Sequence, residues 1–452
     1  MGTYQKPQTL SIRRVSGKGV GCREYGRGSF YMRSMIRFLL LSIIIGAVLS
    51  TTAFATDGYL SSGYGVKQVG MGGVGVALPG DSMAAATNPA GMVIVGNRFD
   101  LGLSIFHPVR SGTILGNQLP PGYPDVNGTY DGNGKLNFYI PEFGYNHMFG
   151  PTMSFGVSMY GNGGMNTSYT TAIPLLGTTN AGVDLQQLFI APTFAFKVNQ
   201  RNAFGISLNI AYEMFKAEGL QNFATQNTSI DPAAVTNRGV DSSVGAGFRV
   251  GWIGKVNSVI TLGATYQSRT WMGKLNRYRG LFAEQGSFDI PANFAGGIAI
   301  KAGQKTTVAL DVERILYGQV KSIANSGANA ALLGSDNGPG FGWHDITSPK
   351  IGIEYRMNSR VTLRGGYNHS GIPFSAHETF FNLLAPGIVQ DHATVGASWG
   401  LSGGKEISFA YFHAFGKTVN GVSSIPPYAG GGNANLRMRE DSLGIGFGWG
   451  RE

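Results

Sequence analysis

The stretch Gly70-Met71-Gly72-Gly73-Val74-Gly75 has the Gly-x-Gly-x-x-Gly spacing of a loop that cradles a dinucleotide pyrophosphate. That chemistry needs a buried strand before the glycines, a helix N-terminus after them and an acid for the ribose. Here DGYLSSGYGVKQ before the loop is polar and glycine-broken, Pro79-Gly80 interrupts the helix position, and MVIVGNR (92–98) has no acid. The glycines fit a chain that turns tightly and packs close to a wall. Gly396-Ala397-Ser398-Trp399-Gly400 matches the Gly-x-Ser-x-Gly nucleophile elbow, but it lies within a strand pattern rather than on a strand-to-helix turn. The seven histidines include no His-x-x-x-His pair, and the single cysteine, Cys22, lies in the N-terminal leader. No catalytic residue, cofactor or metal site is expected.

The elements around these motifs alternate. In AFGISLNIAYEM (203–214), Phe204, Ile206, Leu208, Ile210, Tyr212 and Met214 share one face, with small or polar residues on the other. TLGATY, TTVALDVE, KIGIEY, VTLRGGYN, ATVGASWG and SLGIGFGW repeat the pattern. About fourteen strands follow, near 98–109, 135–148, 153–168, 184–198, 203–217, 241–254, 259–275, 286–301, 306–321, 341–356, 360–371, 390–401, 405–417 and 436–450. Short connectors (149–152, 199–202, 255–258, 302–305, 357–359, 402–404) alternate with long ones. That parity, with both barrel ends on the periplasmic side, is the pattern of an outer-membrane barrel and has no reason to arise in a soluble sandwich or propeller. The expectation is all-β: a 14-stranded antiparallel transmembrane β-barrel, residues 98–452, plugged by an N-terminal hatch, residues 56–97.

Bulk properties agree. Charged residues make up 13% of the chain and there are 70 glycines. The formal net charge is +10, but residues 1–55 hold eight Lys/Arg and one acid, so the body has 27 basic against 24 acidic residues and no nucleic-acid signature. Around MIRFLLLSIIIGAVLSTTAFA (35–55), Arg33, just before it, and Arg37 precede an apolar run and Ala53-Phe54-Ala55 ends it, which predicts a signal peptide within the leader 1–55, cleaved after Ala55.

SSGYGVKQVGMGGVGVALPGDSMAAATNPAGM, LGATYQSRTWMGKLNRYRG, VALDVERILYGQV, FGWHDITSPKIGIEYRMNSRVTLRGGYN and NLLAPGIVQDHATVGASWGLS, in that order, resemble segments of the FadL-type (OMPP1/FadL/TodX) outer-membrane transporters of long-chain fatty acids and other hydrophobic compounds. The resemblance implies fourteen strands, a hatch bearing the motif Asn88-Pro89-Ala90, passive uptake of a fatty acid or hydrocarbon, and a lateral exit at an interrupted third strand. Here GNGGMN, with Gly161, Asn162, Gly163 and Gly164, stands on that strand. Glycines there mark either a kink that opens the wall or an early strand end. A monomer in outer-membrane lipid and lipopolysaccharide of a Gram-negative cell is expected. A general porin and an outer-membrane lipid hydrolase are the rivals.

Alternation places Glu213, Arg249, Arg269, Asp311, Glu313, Lys350, Glu354, Arg356 and Arg364 toward the lumen. They either pair with one another or offer cations, with Arg249, Lys350 and Arg364 as candidates, to a ligand carboxylate. Phe380, Phe381, Leu383 and Leu384 could form a capture surface or cover the barrel mouth.

Overall fold

The structure is a computed structural model and describes residues 1–3 and 57–451. The chain divides into Met1–Ser50 and Thr51–Glu452, and the fold below is that of the second unit. The expected signal peptide and its cleavage site lie outside the described residues.

Fourteen antiparallel strands close into a barrel: β1 (Asn97–Leu115), β2 (Phe138–Met148), β3 (Met153–Ala172), β4 (Asn180–Lys197), β5 (Asn202–Glu218), β6 (Asp241–Lys255), β7 (Ile260–Gln267), β8 (Asn293–Lys301), β9 (Thr306–Ile315), β10 (Ile346–Arg356), β11 (Val361–His369), β12 (Asp391–Gly400), β13 (Lys405–Val419) and β14 (Asn433–Arg451). Each pairs with its sequence neighbours. β14 closes onto β1 from Asn97↔Arg451 to Leu115↔Asn433, so no edge is left open. Two short strands lie off the barrel. Gly128–Asp131 extends the outer end of β1, and Trp271–Met272 pairs with β6.

The outward face is apolar. On β5, Phe204, Ile206, Leu208, Ile210 and Tyr212 are exposed, while Ala203, Ser207, Asn209, Ala211 and Glu213 are buried inside. In water this inside-out arrangement would cost about 25 cal/mol per Å² of exposed apolar surface, a loss that a lipid environment removes. Exposed Tyr355, Trp399 and Trp449 border the short-turn side of the band. Toward the long loops the wall turns polar at two like sets. Tyr367 and His369 both bond Asp391, and Tyr411 and His413 both bond Asp441. Along β14 the interval from Trp449 to Asp441 spans about 27 Å at strand rise, enough to cross a hydrocarbon core obliquely.

Four strands are shorter than the alternation predicts. β7 ends at Gln267, β8 begins at Asn293, β9 ends at Ile315 and β10 begins at Ile346. The remaining apolar residues of those segments turn into the barrel mouth: Leu275, Phe288, Tyr317 and Trp343 are buried among the outer loops. Alternation reports that a residue is buried on one side, not whether lipid or a folded loop covers it.

Residues 57–96 fill the lumen with short elements: α1 (Val66–Val69), 3₁₀ turns at Ala84–Ala86 and Pro89–Gly91, and α2 (Met92–Val95). The main apolar cluster joins Tyr59, Leu60 and Met83 of this plug to the outer loops through Tyr317, Trp343 and Leu383.

Candidate functional site

The plug docks on the wall by backbone approach. Gly72 and Gly73 sit at φ 72° and 83°, a left-handed region that non-glycine residues adopt at a cost. Gly70 meets Gly396 of β12: a Cβ on Gly70 would lie 2.9 Å from the Gly396 Cα, and one on Gly396 would lie 3.0 Å from the Gly70 Cα. The dinucleotide-like glycines therefore pack on the first glycine of the hydrolase-like motif. Ser398 of that motif faces inward and hydrogen-bonds Ser408 (2.7 Å) and Arg364 (2.6 Å).

Asn88-Pro89-Ala90 is a knot of backbone bonds. The Asn88 amide nitrogen donates to the carbonyls of Val76 (2.7 Å) and Trp252 (3.0 Å), and its oxygen accepts from Ala90 N–H (3.1 Å). A side chain at Gly205 or Gly251 would collide with the turn. Asparagine suits the position because it alone combines a short reach with two donors and an acceptor.

Wall carboxylates hold further plug amides. Glu142 accepts from Gly65 N–H (3.1 Å) and Val66 N–H (2.9 Å), Asp311 from Gly75 N–H (2.7 Å) and Val76 N–H (3.0 Å), and Asp100 from Ser82 N–H (3.0 Å). Lys67 of the plug pairs with Glu406. Asp81, buried in the plug near Asp100, has its carboxyl pushed up from the usual carboxylate range, by burial first and by Asp100 next. Tyr317 caps the start of the plug: its hydroxyl accepts from Tyr59 N–H (3.2 Å) and Leu60 N–H (3.3 Å) and donates to Asp57 C=O. Burial pushes that phenol well above its ordinary value. Alternation marked Asp311 as lumen-facing; nothing local signalled Glu142 or Tyr317 as anchors, because each meets its partner through the closed barrel.

The three candidate cations are placed differently. Lys350 pairs with Asp57 (3.0 Å) and Glu313 (2.8 Å) and donates to Ser62 C=O (2.8 Å). Arg364 pairs with Glu354 (2.9 Å). Arg249 donates to Thr87 C=O (3.0 Å) and to Gln267, and among the described residues no carboxylate pairs with it. Arg249 and Lys350 line one cavity of about 360 Å³ against the plug; Arg364 lies elsewhere. Two residues expected in the lumen are not there. Arg269 lies beyond the end of β7 and pairs with Asp289, and Arg356, the last residue of β10, is 69% exposed at the rim.

The third strand does not end early. β3 runs to Ala172, but its register against β4 shifts between Gly161 and Gly163. Its ladder to β2 stops at Phe143↔Met159, so Phe138–Glu142 pair only with β1. From Tyr160 to Asn166 every residue is buried, and the in–out alternation is lost as the strand draws inward. The plug meets it there: Gly164 N–H donates to Tyr59 C=O (2.8 Å) and Ser61 N–H to Asn162 C=O (3.2 Å). A cavity of about 510 Å³ lies beside the break, lined by plug residues 61–65 and by Phe106, Glu142, Tyr160, Gly161 and Ser442. Above it, the outer loops enclose an apolar pocket of about 500 Å³ with Phe215, Phe223, Phe282, Phe341, Phe381 and Leu384. Phe380 and Leu383 are buried in the loop core.

Among the described residues no cluster of His, Cys, Asp or Glu is arranged to hold a metal ion. The profile of the outer membrane protein transport family (OMPP1/FadL/TodX) matches residues 48–448. The chain belongs to that family. It is an outer-membrane transport protein, not an enzyme. The Pseudomonas putida toluene transporter TodX is 18% identical with a TM-score of 0.64, covering 86% of this chain and 99% of its own. A Pseudomonas aeruginosa FadL homologue is 17% identical at 0.65, covering 87% and 99%. The Ralstonia pickettii toluene transporter TbuX is 18% identical at 0.61, covering 86% and 99%. At these identities the likeness is one of fold. No curated protein matches the chain.

Proposed function

We propose that this protein takes up hydrophobic small molecules by diffusion, with long-chain fatty acids as the first substrate class. Ligand enters the apolar pocket of the outer loops, passes the plug when the Asn88-Pro89-Ala90 turn shifts, and leaves sideways into lipid beside Gly161, Asn162, Gly163 and Gly164. It acts as a monomer among outer-membrane lipid and lipopolysaccharide.

The observation that carries this reading is the cavity of about 510 Å³ that reaches from the plug to the break between β2 and β3. A lateral route suits an oily cargo, since each CH₂ left in water costs about 0.8 kcal/mol. A lumen filled by residues 57–96 favours gated uptake over a general porin.

Arg249 is the best-placed cation for a fatty carboxylate, because Lys350 and Arg364 already hold protein carboxylates. That pairing also favours a second reading, uptake of uncharged aromatic or aliphatic hydrocarbons, the kind of cargo named for TodX and TbuX. Uptake of labelled oleate and labelled toluene by a deletion strain, with and without the gene, separates the two. Gene-dependent oleate entry supports the first; toluene entry alone supports the second; neither would refute uptake.

A further inference from the structure

One polar group of the lumen serves neither the plug nor the cation sites. Glu440 of β14 is fully buried, and among the described residues neither carboxyl oxygen has a hydrogen-bond partner. His392 of β12 is likewise fully buried; its ring meets the Asn368 backbone, and among the described residues neither ring nitrogen has a side-chain partner. The two stand on one inward row: His392 pairs in register with Ala414 of β13, and Ala414 with Glu440. Strands lie about 4.8 Å apart, so only the methyl of Ala414 separates the two side chains across roughly 10 Å. Phe412 stacks on the imidazole (5.2 Å between centroids), leaving its edge for hydrogen bonding.

The row also lies between two cavities. Met438, Glu440 and Ser442 are successive inward residues of β14. Met438 lines an upper cavity of about 310 Å³ together with Trp343 and Pro108. Ser442 and Phe412 line the cavity of about 510 Å³ beside the third-strand break. Phe106 borders both. Across the seam Glu440 faces Pro108, which offers no donor. Arg110 spends its two terminal nitrogens on Pro108 C=O, Lys135 C=O and Asn166, while its Nε has no partner among the described residues and its charge acts on Glu440.

We propose that Glu440 and His392 form a hydrogen-bonding station, at the junction of these cavities, for the hydroxyl of a neutral hydrophobic molecule such as a phenol or a fatty alcohol. The inference rests on the uptake reading and adds hydroxylated hydrophobic compounds to its substrates. A hydroxyl both donates and accepts, so it satisfies a carboxyl oxygen and an imidazole nitrogen together. A hydrocarbon offers neither group a partner in a dry site, and a ligand carboxylate offers acceptors but no donor.

The test is calorimetric titration of the barrel in lipid nanodiscs with p-cresol and with p-xylene, which differ by a hydroxyl for a methyl, after subtraction of empty nanodiscs. The wild-type protein is expected to prefer p-cresol by about tenfold beyond partitioning, the scale of one satisfied buried polar group. E440L and H392F should bring the ratio close to one with p-xylene affinity kept, and E440Q, which keeps an acceptor oxygen at that position, should keep most of the preference. If E440L does not assemble, H392F against E440Q decides. An unchanged ratio in E440L or in H392F overturns the station and leaves the uptake reading standing. Binding of neither compound by the wild-type protein also overturns the station, while the uptake reading stands or falls on the oleate and toluene assay.

Discussion

Gly70 of the plug and Gly396 of β12 touch backbone to backbone, and neither tolerates a Cβ without displacement of the other. G396V should therefore push the plug off the wall while leaving a closed barrel. Overpacking of this kind costs about 1–3 kcal/mol. The expected result is a heat-modifiable folded barrel with higher ion conductance in planar bilayers; conductance equal to wild type would count against wall docking through this contact.

Asn88 joins plug and wall through its amide. N88D keeps the size but points a carboxylate oxygen at the Val76 and Trp252 carbonyls in place of a donor. It should loosen the plug more than N88A, since a buried unpaired charge costs more than a missing bond of about 1–3 kcal/mol. Amide hydrogen exchange over residues 76–90 reads the difference, and equal protection in both variants would contradict it.

Gly163 lies against the Tyr59 carbonyl. G163V should block uptake without unfolding the barrel, because a branched side chain fills the space where plug and kinked strand meet. Unchanged uptake in a correctly assembled G163V protein would sink the lateral-exit proposal.

Lys350 balances Asp57 and Glu313 in a buried site. K350M should destabilise plug docking by roughly 3–5 kcal/mol by stranding two carboxylates. K350M/E313Q should recover part of that loss. Proteolysis of the plug in folded protein is the readout, and no rescue by the double variant would show that the pair is not coupled.

Asp81 gives docking a pH dependence. Its carboxyl in the docked state lies above its free value, through burial and the nearby Asp100, against the opposing pull of Lys67 and Arg98. The docked plug thus binds the proton more tightly than the released one. Its contribution is fully present below the ordinary carboxylate range and is lost as pH rises through the elevated value. D81N should flatten this dependence of plug protection; a profile that keeps its slope would assign the effect to another group.

The sequence by itself determined the barrel. Period-two alternation, alternating connector lengths and an even strand count follow from local constraints, because each strand has one face on lipid and the other on the lumen. The glycine-rich plug was legible too, as a segment lacking any period. Tertiary structure decided what faces what. Asp57 finds Lys350, Tyr59 finds Tyr317 and Gly70 finds Gly396 across hundreds of residues, and such pairings depend on how the sheet closes and how the plug turns within it. For the same reason the outer ends of β7 to β10 escaped the sequence pattern: an apolar residue looks alike whether it will meet lipid or the folded loops of the barrel mouth.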